Sequence, residues 1–311
     1  MRRSDSNADH FNHLYVHSVL CSEKVELRKW RGRGVKNKLL QGLSKAVDYV
    51  LISIGAIVMV FPFVWMILSA FKTPSEIYAS PPVWIPSSFS FDNFVSVFKT
   101  APFLRYFLNS LIVTVSIVVL TTITTILAAF AFSKLKFPGR KPIYRSLIVL
   151  MMVPFELLVV TLYSIITKLG LIDNLLAMIL PFTSSIFYTY ILKNFFDSIP
   201  DTLYQSAKVD GASDWFYLWH VLVPVARPSL VTIILLDAIS CWNSFFWPLL
   251  VTNTTEHRTL QVGLYSFMSE GGIHYEKLMA AATVVVLPMI ILFIFLRKKI
   301  ISGVASGGLK G

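Results

Sequence analysis

Charge is scarce in this chain. Asp, Glu, Lys and Arg make up 14% of its 311 residues, where a soluble domain carries roughly a quarter. That scarcity excludes an ordinary water-soluble globule. Cysteine is nearly missing: Cys21 sits in a basic tail and Cys241 in an apolar run. Two thiols in such different surroundings give neither a disulfide framework nor metal-ligand spacing. There is no Gly-x-Ser-x-Gly stretch, no Walker-type lysine loop and no paired His/Cys set. The chain therefore carries no motif for catalysis or nucleotide hydrolysis of its own. His257 and His274 lie seventeen residues apart with no third ligand nearby, so no metal site is expected.

What the chain has is hydrophobic length. Hydrophobic residues make up 55% of it and the mean hydropathy is +0.66. Six runs, 47–71, 108–132, 146–167, 175–192, 229–251 and 278–296, are long and apolar enough to cross a hydrocarbon core of roughly 30 Å. Backbone groups cannot stay unpaired in lipid, so these runs predict helices and an all-α membrane protein. The fourth is short and contains Pro181.

The formal net charge of +11 could suggest nucleic acid, but its placement argues for topology. Segments 1–46, 133–145, 193–228 and 297–311 hold 22 of the 28 Lys and Arg residues, and the alternate segments hold 6. By the positive-inside rule both termini are expected in the cytoplasm, which agrees with six crossings. Residues 1–46 form a basic tail, too long for a signal-peptide n-region. Within it, "KNKLLQGLSKAV" has the pattern of an amphipathic helix on the inner leaflet, and a disordered tail is the alternative for 1–22.

Between runs four and five lies "YQSAKVDGASDWFYLWHVLVPVARPSL" (204–230), polar and broken. Asp197, Ser198 and Asp201 are candidate caps, with Pro200 acceptable in a first turn. Asp210-Gly211 predicts a turn, Gly supplying a positive φ. Ser213 is the candidate N-cap of a second helix, interrupted by Pro224 and Pro228. A helix–turn–helix outside the membrane suits insertion into a groove on a partner. The residues alone leave an ordinary structured connector equally open.

This segment resembles the EAA loop of ABC-importer permeases, a pattern of Glu-Ala-Ala, Asp-Gly-Ala, an aromatic stretch and Pro-x-x-x-Pro. Here it reads "QSAKVDGA" and "WFYLWHVLVPVARP". "FSFDNF", "NSLIVTV", "KLKFPGRK", "LGLIDN", "FFDSIP", "CWNSFFWPLL", "HRTLQVGL", "LMAAATVVVLP" and "ISGVASGGLKG" occur around it in order. From about residue 47 to the end, the chain resembles the second permease subunit of carbohydrate importers, the maltose-transporter-type family. The resemblance implies a type I importer permease core over 47–300, a coupling loop at 200–228 and a cytoplasmic tail at 301–311. It also implies a second homologous permease, two ATPase subunits that hold ATP and Mg, and an extracytoplasmic sugar-binding protein. The coupling role falls on Gln205, Ser206, Ala207, Asp210, Gly211 and Ala212. Gln205 stands where the family has Glu, which removes one charge-assisted contact to an ATPase. Ser206 stands where it has the first Ala. The family's loop corresponding to 252–277 contacts the binding protein, and the Gly271-Gly272 pair gives that segment mobility.

Polar residues within the runs are the remaining signal. Asp237 is costly in a membrane, and Asp237, Ser240, Cys241 and Ser244 share a helix face. Glu156, two residues after Pro154, has Tyr163 one heptad later. These faces are candidates for a translocation path, against the plainer reading of inter-helix hydrogen bonding. Asn243 is expected to face away from Asp237 and to pack or bond between helices. An ion-coupled secondary transporter using Glu156 and Asp237, or an ABC permease for a non-sugar solute, are the competing readings.

Overall fold

The computed structural model describes residues 45–270 and 274–308. Cys21, most of the basic tail with its expected amphipathic helix, the Gly271-Gly272 pair and residues 309–311 lie outside the described residues. The chain divides into two compact units, 1–65 and 66–311. Every described residue outside a turn or connecting segment is helical, and no strand occurs among them.

The first long apolar helix, α1, is Lys45–Ser69, and residues 45–64 are exposed along their whole length. Two short helices follow, α2 (Pro74–Ile77) and α3 (Asp92–Thr100). Asn93 fixes the start of α3 by donating to the carbonyls of Ala70 and Lys72, both at 2.9 Å. The central element is α4, Phe103–Ser133, 31 residues long. At 1.5 Å per residue that length exceeds a hydrocarbon core.

The third apolar run is not the continuous helix its hydropathy predicts. It splits into α5 (Arg140–Leu150) and α6 (Phe155–Lys168), bent by 101°. Pro154 causes the break: it has no N–H to give and its ring clashes with the carbonyl four residues earlier. The fourth run is α7 (Leu175–Ile179), a tight turn at Leu180–Phe182 that absorbs Pro181, and α8 (Ile186–Asp197). Together they make a candidate span, Leu175–Asp197.

Next come α9 (Asp201–Val209) and α10 (Asp214–Tyr217), then a wide π-type turn at Leu218–Leu222 and α11 (Val223–Val225). Then α12, Arg227–Trp242, departs at 79°. The fifth run, 229–251, is likewise not one helix. It stops at Trp242 and restarts as α13, Phe246–Val251. Asn243 Nδ2 takes the Ile239 carbonyl at 2.9 Å, competing with the helix ladder. Pro248 is tolerated only in the first turn of the restarted helix. Among the described residues Asn243 thus bonds within its own helix, not between helices. The chain ends in α14 (Leu260–Glu270) and α15 (Tyr275–Gly308), which carries the sixth apolar run.

Within 66–311, α4 packs against α8, α12 and α14, and α15 packs against α3 and α12. Three apolar clusters result. One joins the end of α4 to α8, α10 and the start of α12 through Phe130, Leu192, Phe196, Tyr217 and Leu230. A second joins Tyr106, Trp242, Leu260 and Ala281. The third joins Ile117, Val159, Met178 and Trp247.

Candidate functional site

Two places collect the polar residues singled out by the sequence. The first is the elbow between α9 and α10. Helix α9 ends in a Schellman motif: the Ala212 N–H donates to the Ala207 carbonyl at 2.9 Å and the Gly211 N–H to the Lys208 carbonyl at 3.1 Å. That closure needs a left-handed residue, and Gly211 supplies φ +79°. Ser213 then caps α10, accepting from the Phe216 N–H at 3.1 Å, as its sequence position predicts.

The base of the elbow is tied to the bundle. Lys134, at the end of α4, is buried and donates to the Ile199 carbonyl at 3.0 Å and to Asp201 Oδ1 at 2.7 Å. The expected helix caps are therefore used otherwise. Asp201 pairs with Lys134. Asp197 accepts from Ser133 at 2.6 Å and pairs with Lys193, and Pro200 takes the N-cap position of α9 without a side-chain bond. Across the elbow, Tyr204 Oη and Lys208 Nζ both reach Asp214 Oδ1 at 2.6 Å. Those two donors hold the Asp214 carboxyl below its usual range, Lys208 foremost, even though burial opposes the shift. The rings of Tyr204 and Tyr217 meet at 4.9 Å.

The outer face of the elbow is different. Gln205, Ser206, Asp210 and Gly211 are exposed, while Ala207 and Ala212 are half-buried at the base. Val209 is 87% exposed and Trp215 62%, with Leu203 and Phe216 beside them. Exposed apolar residues around a rigid turn make a surface suited to a partner's groove.

The second place is a cavity of about 280 Å³ between α4, α8 and α12. Asp237, Ser240, Cys241 and Ser244 all line it; the first three share a face of α12, while Ser244 lies in the break after that helix and not on the face the sequence suggested. Ser110 and Thr121 of α4 and Tyr188 of α8 face them. Glu156 and Tyr163 do not join it. Both are exposed on α6.

Sequence reasoning missed the residues that hold loop 252–259. Asp173, at φ 59°, accepts from the Asn253 and Thr254 N–H groups at 2.9 and 3.0 Å and from Thr254 Oγ1 at 2.7 Å. Asn109 Nδ2 donates to the Glu256 and Arg258 carbonyls at 2.8 and 2.9 Å. Both lie in quoted motifs, "LGLIDN" and "NSLIVTV", but their partners are some 80 and 150 residues away in sequence. No group of three potential metal ligands occurs among the described residues.

An all-helical bundle of apolar spans, with a braced helix–turn–helix exposed between two of them, defines the class: an ABC type I importer permease fold. Residues 122–305 match the family described as "Binding-protein-dependent transport system inner membrane component", and the chain belongs to that family. It is 31% identical to the diacetylchitobiose uptake system permease protein DasC of Streptomyces coelicolor, over 89% of this chain and all of that one. It is 30% identical to the arabinooligosaccharides transport system permease protein AraQ of Halalkalibacterium halodurans, over 82% of this chain and 93% of that one. Among solved structures it resembles a chain of a bacterial ABC transporter involved in the import of the acidic polysaccharide alginate. There the TM-score is 0.73 at 25% identity, covering 82% of this chain and 96% of that chain.

Proposed function

We propose that this chain is the permease subunit of an ATP-driven saccharide importer, coupled to a cytosolic ATPase through the α9–α10 elbow. The observation that carries the reading is the elbow itself, braced at its base by Lys134 and Asp214 while its outer face stays exposed. Saccharide is favoured over other solutes because relatives such as DasC and AraQ are named for oligosaccharide uptake. In this reading two ATPase subunits hold ATP and Mg. A second homologous permease completes the translocation path, and an extracytoplasmic binding protein delivers the sugar. The membrane is the inner or plasma membrane of a prokaryotic cell, crossed several times.

The same reading gives six crossings with both termini in the cytoplasm. They are α1, α4, the α5–α6 pair, Leu175–Asp197, α12 with α13, and α15. The tail would then be 1–46, the permease core 47–300 with its coupling loop at 200–228, and the end 301–311. ATP-driven closure of the ATPases, acting on Gln205 through Ala212, switches access between two arrangements of the bundle. Asp237, Ser240 and Ser244 line this chain's share of the path, and Glu156 and Tyr163 lie on a face open to a partner helix.

The test is uptake by the complex in proteoliposomes. Labelled oligosaccharide should accumulate only with ATP on the ATPase side, and the purified chain alone should hydrolyse none. Uptake that survives ATP depletion and collapses with a proton uncoupler would favour ion coupling instead. Thiols introduced at Phe137 and Ala305 should be shielded in intact cells, and those at Ser90 and Tyr265 labelled. Labelling of position 137 from outside would overturn the topology.

A further inference from the structure

Helix α5 begins with more positive charge than the described fold neutralises. Lys141 and Arg145 are exposed and make no ion pair among the described residues. Lys136, also exposed and just ahead of the helix, lines an open cleft with Phe137, Gly139, Arg140 and Lys141. A carboxylate stands nearby, Asp201, but it is already engaged. The bond from Lys134 does most to hold it below its usual range, with Arg140 and Lys136 adding to the effect. Lys141 and Arg145 are left facing outward without a counter-charge.

The direction in which α5 faces is fixed from behind. Gly139 turns the chain into the helix at φ +80°, and Arg140 Nη1 donates to the Ser133 and Leu135 carbonyls at 3.3 and 2.8 Å. Arg140 thus spends its donors on the end of α4. The Tyr144 ring packs on Phe132 at 5.4 Å and has Lys193 Nζ above it at 4.8 Å, which ties α5 to α4 and α8. On the outer side, Lys141, Arg145, Val149 and Met152 follow one another at spacings of four, four and three, so they share a face. Val149 is 64% exposed and Met152, just past the helix end, 80%. The face therefore starts cationic and turns apolar within about one helical turn.

We propose that the outer face of α5 binds an anionic phospholipid, with Lys136, Lys141 and Arg145 around its phosphate and Val149 and Met152 along an acyl chain. A phospholipid changes from anionic headgroup to hydrocarbon in the same order as this face. Charge complementarity favours an anionic headgroup over a zwitterionic one, since each Lys or Arg near an anionic surface strengthens association about fivefold. A water-facing protein partner would have no use for the exposed apolar half. The lipid site rests on the proposed placement of 133–145 at a membrane face and not on the identity of the transported solute.

Met152 is the place for a reporter, because it is exposed and lies at the apolar end of the face. The full complex, otherwise free of cysteine, would carry a bimane on Met152→Cys in phosphatidylcholine nanodiscs. A fixed small fraction of the lipid would be acyl-brominated phosphatidylglycerol in one sample and acyl-brominated phosphatidylcholine in the other. The brominated phosphatidylglycerol should quench several-fold more strongly, and added salt should shrink the difference. Replacing Lys136, Lys141 and Arg145 together by Gln should remove the difference while leaving ordinary quenching by phosphatidylcholine. Arg145→Lys should keep it. Equal quenching by the two lipids would overturn the site, as would no quenching by either, which would mean that protein covers this face. A preference that appears only after the ATPase subunits are stripped away would assign the cations to the ATPase and overturn it too. ATP-driven uptake by the same complex separates this claim from the importer reading. ATP-dependent uptake with equal quenching removes the lipid site alone, and lipid preference without ATP dependence removes the importer reading alone.

Discussion

Loop 252–259 and the α9–α10 elbow are both polar connectors between apolar helices, yet they spend their hydrogen bonds in opposite ways. In the loop, Asp173 and Asn109 reach up from other elements and together take four backbone groups, two N–H and two carbonyls. Arg105 adds a further bond to the Glu256 carbonyl at 3.1 Å. In the elbow the bonds gather at the base, on Asp201 and Asp214, and the outer side chains of Gln205, Ser206 and Val209 stay exposed. A connector bonded from beneath along its length is a fixed part of the bundle. One bonded only at its base keeps its shape and still offers a face to something else.

Breaking the fixed loop should therefore cost stability first. Asp173→Ala removes the charged acceptor of two N–H groups and a hydroxyl, and although water can replace part of it at the exposed Asn253 and Thr254, we expect a loss of about 2 to 3 kcal/mol in unfolding of the detergent-solubilised chain. The native carboxyl also sets a pH dependence. Burial pushes it up, but the bonds from Thr254 and Asn253 and the nearby His257 outweigh this and hold it at about 2. A folded value below the unfolded one, roughly 3.9, means the unfolded loop binds the proton more readily. The contribution is full above that unfolded value and is lost as pH falls toward 2. Thermal unfolding that is equally acid-sensitive in Asp173→Asn would show that other carboxylates govern that window.

Next in size is Gly263 in α14, just beyond the loop. A Cβ there would lie 2.2 Å from a ring carbon of Tyr106, which is itself buried against Phe103 at a ring separation of 5.7 Å. With backbone on one side and a pinned ring on the other, Gly263→Ala should cost about 2 kcal/mol by overpacking. An alanine variant as stable as the parent would mean that the ring swings aside freely.

The sequence made these two connectors unequally legible. The elbow is local: its Gly, its Ser cap and its Schellman closure all lie within α9, α10 and the turn between them, where turn chemistry can be read directly. The shared face of Asp237, Ser240 and Cys241 is legible for the same reason, since helical period places it, while Ser244 reaches the same cavity from just beyond the helix end. The bonds of Asp173 and Asn109 join residues far apart in sequence, and no period or cap announces them. The bends at Pro154 and after Trp242 were hidden for another reason. Hydropathy counts apolar residues and does not register a missing N–H or an Asn that takes its own helix's carbonyl.

Strain at the elbow should affect transport more than stability. Nothing lies within 4 Å of a Cβ built on Gly211, so a substituent there meets open space, and the cost comes from φ +79° alone. Gly211→Val should lose about 1 to 2 kcal/mol while leaving the bundle folded. In the complex, uptake and binding-protein-stimulated ATPase should both fall several-fold at normal expression. Wild-type uptake by this variant would reduce the elbow to a connector and leave the coupling role without support.

The smallest effect is expected at Gln205, and it sharpens the contrast most. Its side chain is exposed and makes no hydrogen bond among the described residues, so nothing in the described fold depends on it. Gln205→Glu keeps nearly the same helix propensity. The new carboxylate would lie four residues after Asp201, a mild repulsion, and three before Lys208, a mild attraction, each worth a few tenths of a kcal/mol. Unfolding should shift by less than about 0.5 kcal/mol, whereas Asp173→Asn at the fixed loop should shift far more. Against an ATPase surface the same change adds a charge-assisted contact, so uptake should hold or rise. A several-fold drop in uptake at unchanged stability would show that the partner's groove is matched to an uncharged amide at this position. The coupling surface would then be a departure from the Glu-bearing pattern and not a relaxed version of it.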